Sequence, residues 1–477
     1  MVEINQLQRA LGALLAGLIS LNSRLTEIFM PAEINLTLLT DLYQLTMAQS
    51  YFREGQFGDA TFSLFIRSYP PDRGYFVAAG LKDVLDYLEN FACDSAGIEY
   101  LARQGQFSED FLNYLSGLRF SGDVWAIPEG EIFFKDEPLL EVTAPVIQAQ
   151  IAETFIINQL HLQTLIATKA ARCVDAAGGR PIVDFALRRT HGTDAGMKVA
   201  RVSYLTGFAG TSNVLAGKEY GMPIVGTMAH SFVSSFEREI DAFRAYALSF
   251  PRGAILLIDT YDTLQGARRA VEIAKEMAAR GELLIGARID SGDLPELARQ
   301  ARKIFDEAGF PRLKIFGSGG LDEYDLADFS AAQVPFDSYG IGTKMGTSGD
   351  APWTDMSYKL VEYQNRPVLK LSTGKVSLPG RKQVFRRRDD AGVFTRDVIG
   401  LRGEDLDGDK LLREVMRAGK RTAPSPSLRE SRARFAAEFA SVPPAIKSIR
   451  RPRSYPVEFS PKLQALQRDM TRKYQGN

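Results

Sequence analysis

At 477 residues the chain is too long for one ordinary hydrophobic core, and its 45% hydrophobic and 24% charged content is that of a soluble globular protein. Lysine plus arginine (58) balances aspartate plus glutamate (58), which removes any global electrostatic argument for nucleic acid or an anionic membrane as partner. The two cysteines, Cys93 and Cys173, exclude a disulfide framework and a four-cysteine zinc site, and favour the cytoplasm as the expected compartment.

Near the N-terminus, residues 11–21 form an apolar run that follows Arg9. It is too short to span a bilayer and lacks a clear cleavage signal, so an amphipathic surface or subunit-contact helix is expected within an extension of unknown role, residues 1–36. Residues 37–150 mix a helix (81–91) with candidate strands (61–67 and 131–142). A rhythm then sets in. Apolar, β-rich runs occur at 181–187, 223–227, 254–259, 283–290, 313–317, 337–342 and 357–363, with starts mostly about 20 to 40 residues apart. Helical patterns lie between them. Residues 263–280 put Leu264, Ala267, Val271 and Ala274 on one face, and residues 294–309 end at Gly309 and Pro311. Strand alternating with helix predicts a parallel sheet, and this many units suggests an irregular or incomplete TIM-like barrel rather than an open doubly wound sheet. Residues 370–400 read as strands and turns, and a charged, helical tail broken by Pro424, Pro426, Pro443 and Pro444 follows. The acidic stretch 403–410 lacks the spacing and terminal glutamate of an EF-hand loop and reads as a turn. The expected fold is α/β: a TIM-like barrel over 161–365, and a flanking α/β domain made from 37–160 plus 366–477.

The ends of the barrel runs carry the chemistry. Arg188 and Arg189 follow the first and His230 the second; Asp259 closes the third; Arg288 and Asp290 close the fourth. Gly317, Ser318, Gly319 and Gly320 follow the fifth, and Gly340, Gly342 and Thr343 the sixth. Glycine turns expose backbone N–H groups to phosphate, arginines offer forked donors, and aspartates hold sugar hydroxyls or Mg²⁺. Each cluster alone is most simply a turn, a salt bridge or a structural histidine. Their coincidence at strand C-termini, where barrels do their chemistry, points to an enzyme acting on a phosphorylated sugar.

The order of motifs is more specific. Residues 40–47 (TDLYQLTM), 62–67 (FSLFIR), 73–75 (RGY), 184–189 (DFALRR), 210–216 (GTSNVLA), 226–232 (GTMAHSF), 258–262 (IDTYD), 288–293 (RIDSGD), 340–343 (GIGT) and 370–383 (KLSTGKVSLPGRKQ) together resemble the nicotinate phosphoribosyltransferase family, from about residue 38 to about 456. The resemblance implies attack of nicotinate on C1 of phosphoribosyl pyrophosphate, in NAD salvage, with coupled hydrolysis of ATP as co-substrate through a phosphorylated His230. It implies that 317–320 and 340–343 hold the 5′-phosphate, and that Asp259 and Asp290 contact ribose or Mg²⁺. Phe185 and a neighbouring subunit's Tyr43 would sandwich the pyridine ring. Arg67, Lys375 and Lys382 would reach pyrophosphate across the interface of a homodimer. Arg288 joins Asp290 as a catalytic group, and Arg188 and Arg189 join the substrate-binding set. The related nicotinamide enzymes carry an aspartate at the position of Ser212; a carboxylate substrate would be repelled by it, so Ser212 favours nicotinate. A nicotinamide enzyme, a decarboxylating quinolinate enzyme and a non-catalytic phosphohistidine carrier are the alternatives.

Overall fold

The computed structural model describes residues 35–372 and 377–475. The apolar run at 11–21 therefore lies outside the described residues.

The flanking domain is organised by an antiparallel sheet of seven strands, in the order Arg366–Pro367, Met356–Tyr363, Asp59–Ile66, Leu140–Pro145, Asp123–Ala126, Arg413–Arg417 and Lys420–Arg421. Asp59–Ile66 lies inside the sheet and is covered on both faces, so its polar members Thr61 and Ser63 are buried with the rest. Thr61 meets this by sharing a 2.9 Å hydrogen bond with Thr143 on the neighbouring strand. Beside them Phe62 stacks on Tyr358 at 4.7 Å and 8°.

The second body is a parallel sheet of six strands, in the order Gly210–Thr211, Ile182–Asp184, Ser338–Ile341, Lys314–Gly317, Gly286–Ile289 and Ile255–Leu257. The last strand in sequence lies beside the first, as barrel closure requires, yet Gly210–Thr211 and Ile255–Leu257 do not pair. The expected strand at 223–227 is reduced to a single bridge between Thr211 and Ile224. Pro223 lacks an N–H, and the segment's ladder bonds are two: Thr211 N–H to Pro223 C=O and Val225 N–H to Thr211 C=O. The barrel is thus open on this side. Its helices begin as side-chain caps dictate: Asp262 accepts from Gln265 N ahead of Thr263–Ala279, and Asp293 accepts from Glu296 N ahead of Leu294–Glu307.

Two boundary expectations need correction. The run at 357–363 is not a barrel strand; it pairs antiparallel with Asp59–Ile66, so the barrel body ends before residue 356 rather than at 365. Gln364 and Asn365 both have positive φ (49° and 59°) and turn the chain straight back into Arg366–Pro367, a hairpin where a βα unit would need a helix. The tail from 366 onward is also not confined to the flanking domain, because Phe435, Val442 and Ile446 are packed into the barrel core.

The 24-residue helix Glu153–Ala176 joins the two bodies. Its first half buries Phe155, Ile156 and Leu160 in the flanking core, and its second half buries Ile166, Ala167 and Ala170 in the barrel core. From the same helix Lys169 and Arg172 reach Glu323, a fully buried residue, at 2.5 and 2.9 Å. Lys169 also meets Asp350 at 2.6 Å, and Arg73 of the flanking domain meets Asp350 at 3.0 Å. Burial opposes ionisation of Asp350, but Arg73 and Lys169 outweigh it and hold the carboxyl at about 2.

Glu131 is the opposite case. Burial, reinforced by the charge of Glu438, pushes its carboxyl from 4.5 up to about 7, and Arg413 at 3.9 Å offsets little of this. A folded value above the unfolded one stabilises the protein at low pH, and that stability is lost as pH rises from 4.5 through about 7. Glu131→Gln is therefore expected to match wild type in melting temperature near pH 5 and to exceed it by a few degrees at pH 8, a gain of about 2–3 kcal/mol. Thermal melts at the two pH values check this, and equal melting temperatures at pH 8 would refute it.

Candidate active site

The parallel strands end on one side, and their ends build a cavity of about 440 Å³. Phe185 follows Ile182–Asp184, is half-buried, and stacks on Phe316 at 6.0 Å and 25°. Gly340 makes room for that ring, since a Cβ there would come within 2.5 Å of it. The Arg288 guanidinium lies 5.9 Å from the centre of the Phe185 ring. Its Nη2 donates to Met228 C=O at 3.0 Å, and its Nε is buried without a partner. Burial pushes Arg288 down from its usual value, while Asp290 and Asp259 oppose the shift.

Asp259 organises the next strand end. Its Oδ2 accepts from Asp290 N at 2.9 Å and from Ser291 Oγ at 2.6 Å, and its Oδ1 is buried with no partner. Asp290 Oδ1 in turn accepts from Ser318 Oγ at 2.5 Å. Ser318 is the first residue of a turn in which Gly319 has φ +101°, and a Cβ on Gly319 would lie 1.8 Å from Asp290 O. Only glycine fits there. Elsewhere in the lining, Arg189 Nη1 donates to Thr343 Oγ1 at 3.1 Å. His230 heads the short helix His230–Ser234, with Nδ1 3.1 Å from Thr260 Oγ1.

The cavity brings together Phe185, Arg188, Arg189, Ser212, His230, Arg288, Asp290, Ser318, Gly319, Gly320, Gly340, Gly342 and Thr343. Asp259 and Gly317 sit behind this wall, and Asp259 acts on it through Asp290. Thr227, Met228 and Leu187 also line the cavity without having been singled out. An apolar or hydroxyl side chain next to a histidine or arginine carries no chemical signal of its own.

The remaining expected residues are elsewhere. Tyr43 is exposed and lines a separate open cavity of about 870 Å³ with Asp41, His161, His191 and Thr354. There His161 Nε2 accepts from Thr354 N at 2.9 Å, and burial pushes its imidazole below its usual value. Arg67 follows the strand Asp59–Ile66 and touches Asp355 at 3.3 Å, leaving Nε and Nη2 buried without partners. Lys375 lies outside the described residues. Lys382 does not fit the pyrophosphate role. It is 2% exposed, its Nζ donates to Gly380 C=O at 2.7 Å, and it pairs at 3.1 Å with Glu141, a fully buried residue. A buried carboxylate on the neighbouring sheet claims this cation. The exposed base of the pair is Arg381, and it is engaged by Glu362 at 3.0 Å. Among the described residues no group of three His, Cys, Asp or Glu side chains forms a metal site.

Comparison with known families covers three stretches of the chain. Residues 38–161 match the nicotinate phosphoribosyltransferase N-terminal domain, 181–368 the nicotinate phosphoribosyltransferase family, and 404–467 the nicotinate phosphoribosyltransferase C-terminal domain. Nicotinate phosphoribosyltransferase pncB2 of Mycobacterium tuberculosis is 49% identical over 428 residues, covering 89% of this chain and 92% of that protein. The Bacillus subtilis nicotinate phosphoribosyltransferase is 41% identical over 388 residues, covering 80% and 79%. The crystal structure of human nicotinic acid phosphoribosyltransferase superposes with a TM-score of 0.82 at 31% identity, covering 90% of this chain and 99% of that one. The chain belongs to the nicotinate phosphoribosyltransferase family.

Proposed function

We propose that the chain transfers a phosphoribosyl group to nicotinate, with ATP hydrolysis coupled through His230, as a ligase of NAD salvage. The bond from ribose C1 to the pyrophosphate oxygen breaks and its electron pair leaves with pyrophosphate. The lone pair of the pyridine nitrogen forms the new C1–N bond. No proton is removed, so no general base is needed, and the protein acts by positioning and by charge. The observation that carries this reading is the one cavity lined together by the Ser318–Gly320 and Gly342–Thr343 turns, the aromatic Phe185, Arg288 and Asp290. The turns offer backbone N–H groups to the 5′-phosphate, and Phe185 offers its face to the ring.

Asp259 and Asp290 are the residues that would hold Mg²⁺. Asp290, on the cavity wall, would offer its carboxylate to a hard cation that takes its other ligands from phosphates and water, and Asp259, hydrogen-bonded behind it, would add negative charge. When bound, the ion would neutralise charge on pyrophosphate. At His230, Thr260 engages Nδ1 and so leaves the Nε2 lone pair to attack the γ-phosphorus of ATP, the bond to the bridging oxygen breaking and ADP leaving. A later water returns that group as inorganic phosphate.

A homodimer with shared sites completes the reading. Tyr43 is outside the Phe185 cavity of its own chain, and Arg67 holds two unanswered donors. Leu42, Tyr43 and Trp353 are 50% or more exposed, as apolar surface awaiting a second copy would be. Among the described residues no helix is long and apolar enough to cross a membrane. The two cysteines are buried and unpaired, in keeping with the cytoplasm. The test is pyrophosphate release by the purified chain with phosphoribosyl pyrophosphate and Mg²⁺. Release is expected with nicotinate, faster with ATP, and much slower with nicotinamide because Ser212 leaves no acceptor charge for an amide. No release with nicotinate, or a preference for nicotinamide, would overturn the assignment.

A further inference from the structure

Asp184 ends the strand Ile182–Asp184 and is 1% exposed, yet among the described residues no cation pairs with it. A buried, unpaired carboxylate is costly, and burial raises its pKa accordingly. For the fold alone an apolar residue following Ile182 and Val183 would serve better. What the carboxylate does is gather donors. Oδ1 accepts from Ala186 N at 2.8 Å, and Oδ2 accepts from Thr211 Oγ1 at 2.7 Å. The Asp184 carbonyl accepts from Ser212 N at 2.8 Å.

Because Thr211 gives its hydroxyl proton to Asp184, its oxygen is free to accept, and it takes Asn213 N at 3.0 Å. Asn213 then caps the helix Val214–Tyr220 by accepting from Ala216 N. The donors therefore run in one direction, from the Asn213 loop through Thr211 to Asp184. Phe185 stands between the Asp184 carbonyl and the Ala186 N–H held by Oδ1, and its own N–H donates to Ile341 C=O at 2.7 Å. The two side chains this fixes, Phe185 and Ser212, both line the cavity.

We propose that Asp184 is a positioning residue for the pyridine-binding wall: it ties the loop carrying Phe185 to the loop carrying Ser212 and so sets the spacing into which nicotinate fits. The proposal rests on the assignment of Phe185 and Ser212 to the pyridine ring. An amide at residue 184 cannot accept from both donors at once, so Asp184→Asn must turn the Thr211 hydroxyl away or release Ala186 N–H. Misplacement of a ring wall on the ångström scale then weakens nicotinate more than the phosphate end, where the Ser318–Gly320 turn is tied separately to Asp290.

Steady-state kinetics in both substrates, with the full chain and ATP present, test this. Asp184→Asn and Thr211→Val are each expected to raise KM for nicotinate about ten-fold, with KM for phosphoribosyl pyrophosphate within about two-fold of wild type. Thr211→Ser keeps the hydroxyl and should restore nicotinate KM. The double variant should be no worse than the weaker single one, since both changes cut one link. An equal rise in both KM values, or failure of Thr211→Ser to restore, would mean general loosening and overturn the proposal. Should Asp184→Asn not fold, the Thr211 pair decides alone. Phe185→Ala separates the two layers: if it raises nicotinate KM while Thr211→Val does not, only the link fails. If Phe185→Ala has no effect, the pyridine assignment itself falls, and the proposal with it.

Discussion

Replacing Gly319 with alanine is expected to lower kcat/KM for phosphoribosyl pyrophosphate by about a hundred-fold or more. Two independent facts converge on this residue. Its φ of +101° is a conformation that side chains rarely adopt, and a Cβ there would lie 1.8 Å from the Asp290 carbonyl oxygen. The clash is with backbone, so no rotamer relieves it. The turn has to move outward, and Ser318 moves with it, breaking the 2.5 Å hydrogen bond that fixes the Asp290 carboxylate. One methyl group thereby displaces both the phosphate turn and the acid beside it. Gly320→Ala is the control. Its φ of +74° also strains a side chain, but nothing lies within 4 Å of the added Cβ, so a much smaller loss is expected. Steady-state kinetics on both variants check the pair, and a Gly319→Ala enzyme within ten-fold of wild type would contradict the close approach.

His230→Ala is expected to abolish labelling of the protein by ATP and the acceleration of synthesis by ATP. A slow, ATP-independent formation of nicotinate mononucleotide should remain, because Arg288, Asp290 and the two turns that surround the reacting centre are untouched. The chain has three histidines, and the others occupy the second cavity. His161 spends Nε2 as an acceptor for Thr354 N–H, whereas His230 meets Thr260 through Nδ1 and keeps Nε2 for a phosphoryl group. Incubation with γ-labelled ATP, followed by acid and base treatment, reads this out. An acid-labile, base-stable label on the alanine variant would move the phosphorylation to another residue.

Which residues gather in the cavity was largely legible in the sequence, because they are of unusual type for where they stand. Glycines before helices, and Arg288, Asp259 and Asp290 at the ends of apolar runs, break the local pattern, and barrel geometry then forces strand ends to one side. What failed to show was anything set by partners distant in sequence. The periodicity of 357–363 is that of any half-buried strand, and nothing local tells a parallel sheet from an antiparallel one. The hairpin residues Gln364 and Asn365 were the available clue. Lys382 reads as a free base in a basic, glycine-containing loop until Glu141, from a strand 241 residues away, is seen to claim it. Asp184 was noticed only as part of a motif. Its importance lies in receiving donors from a loop 27 residues on, which no spacing rule announces.

The helix Glu153–Ala176 has one further consequence. At about 36 Å it is a rigid strut whose two ends are sunk in different hydrophobic cores. Swinging the flanking domain away from the barrel would pull one end into water and break the Arg73 pairs to Asp350 and Glu323 at the same time. Among the described residues the two bodies are therefore joined by a strut rather than by a hinge. The segment leading to His230, on the open side of the barrel, is held differently: the missing strand leaves its backbone with few ladder bonds to give up.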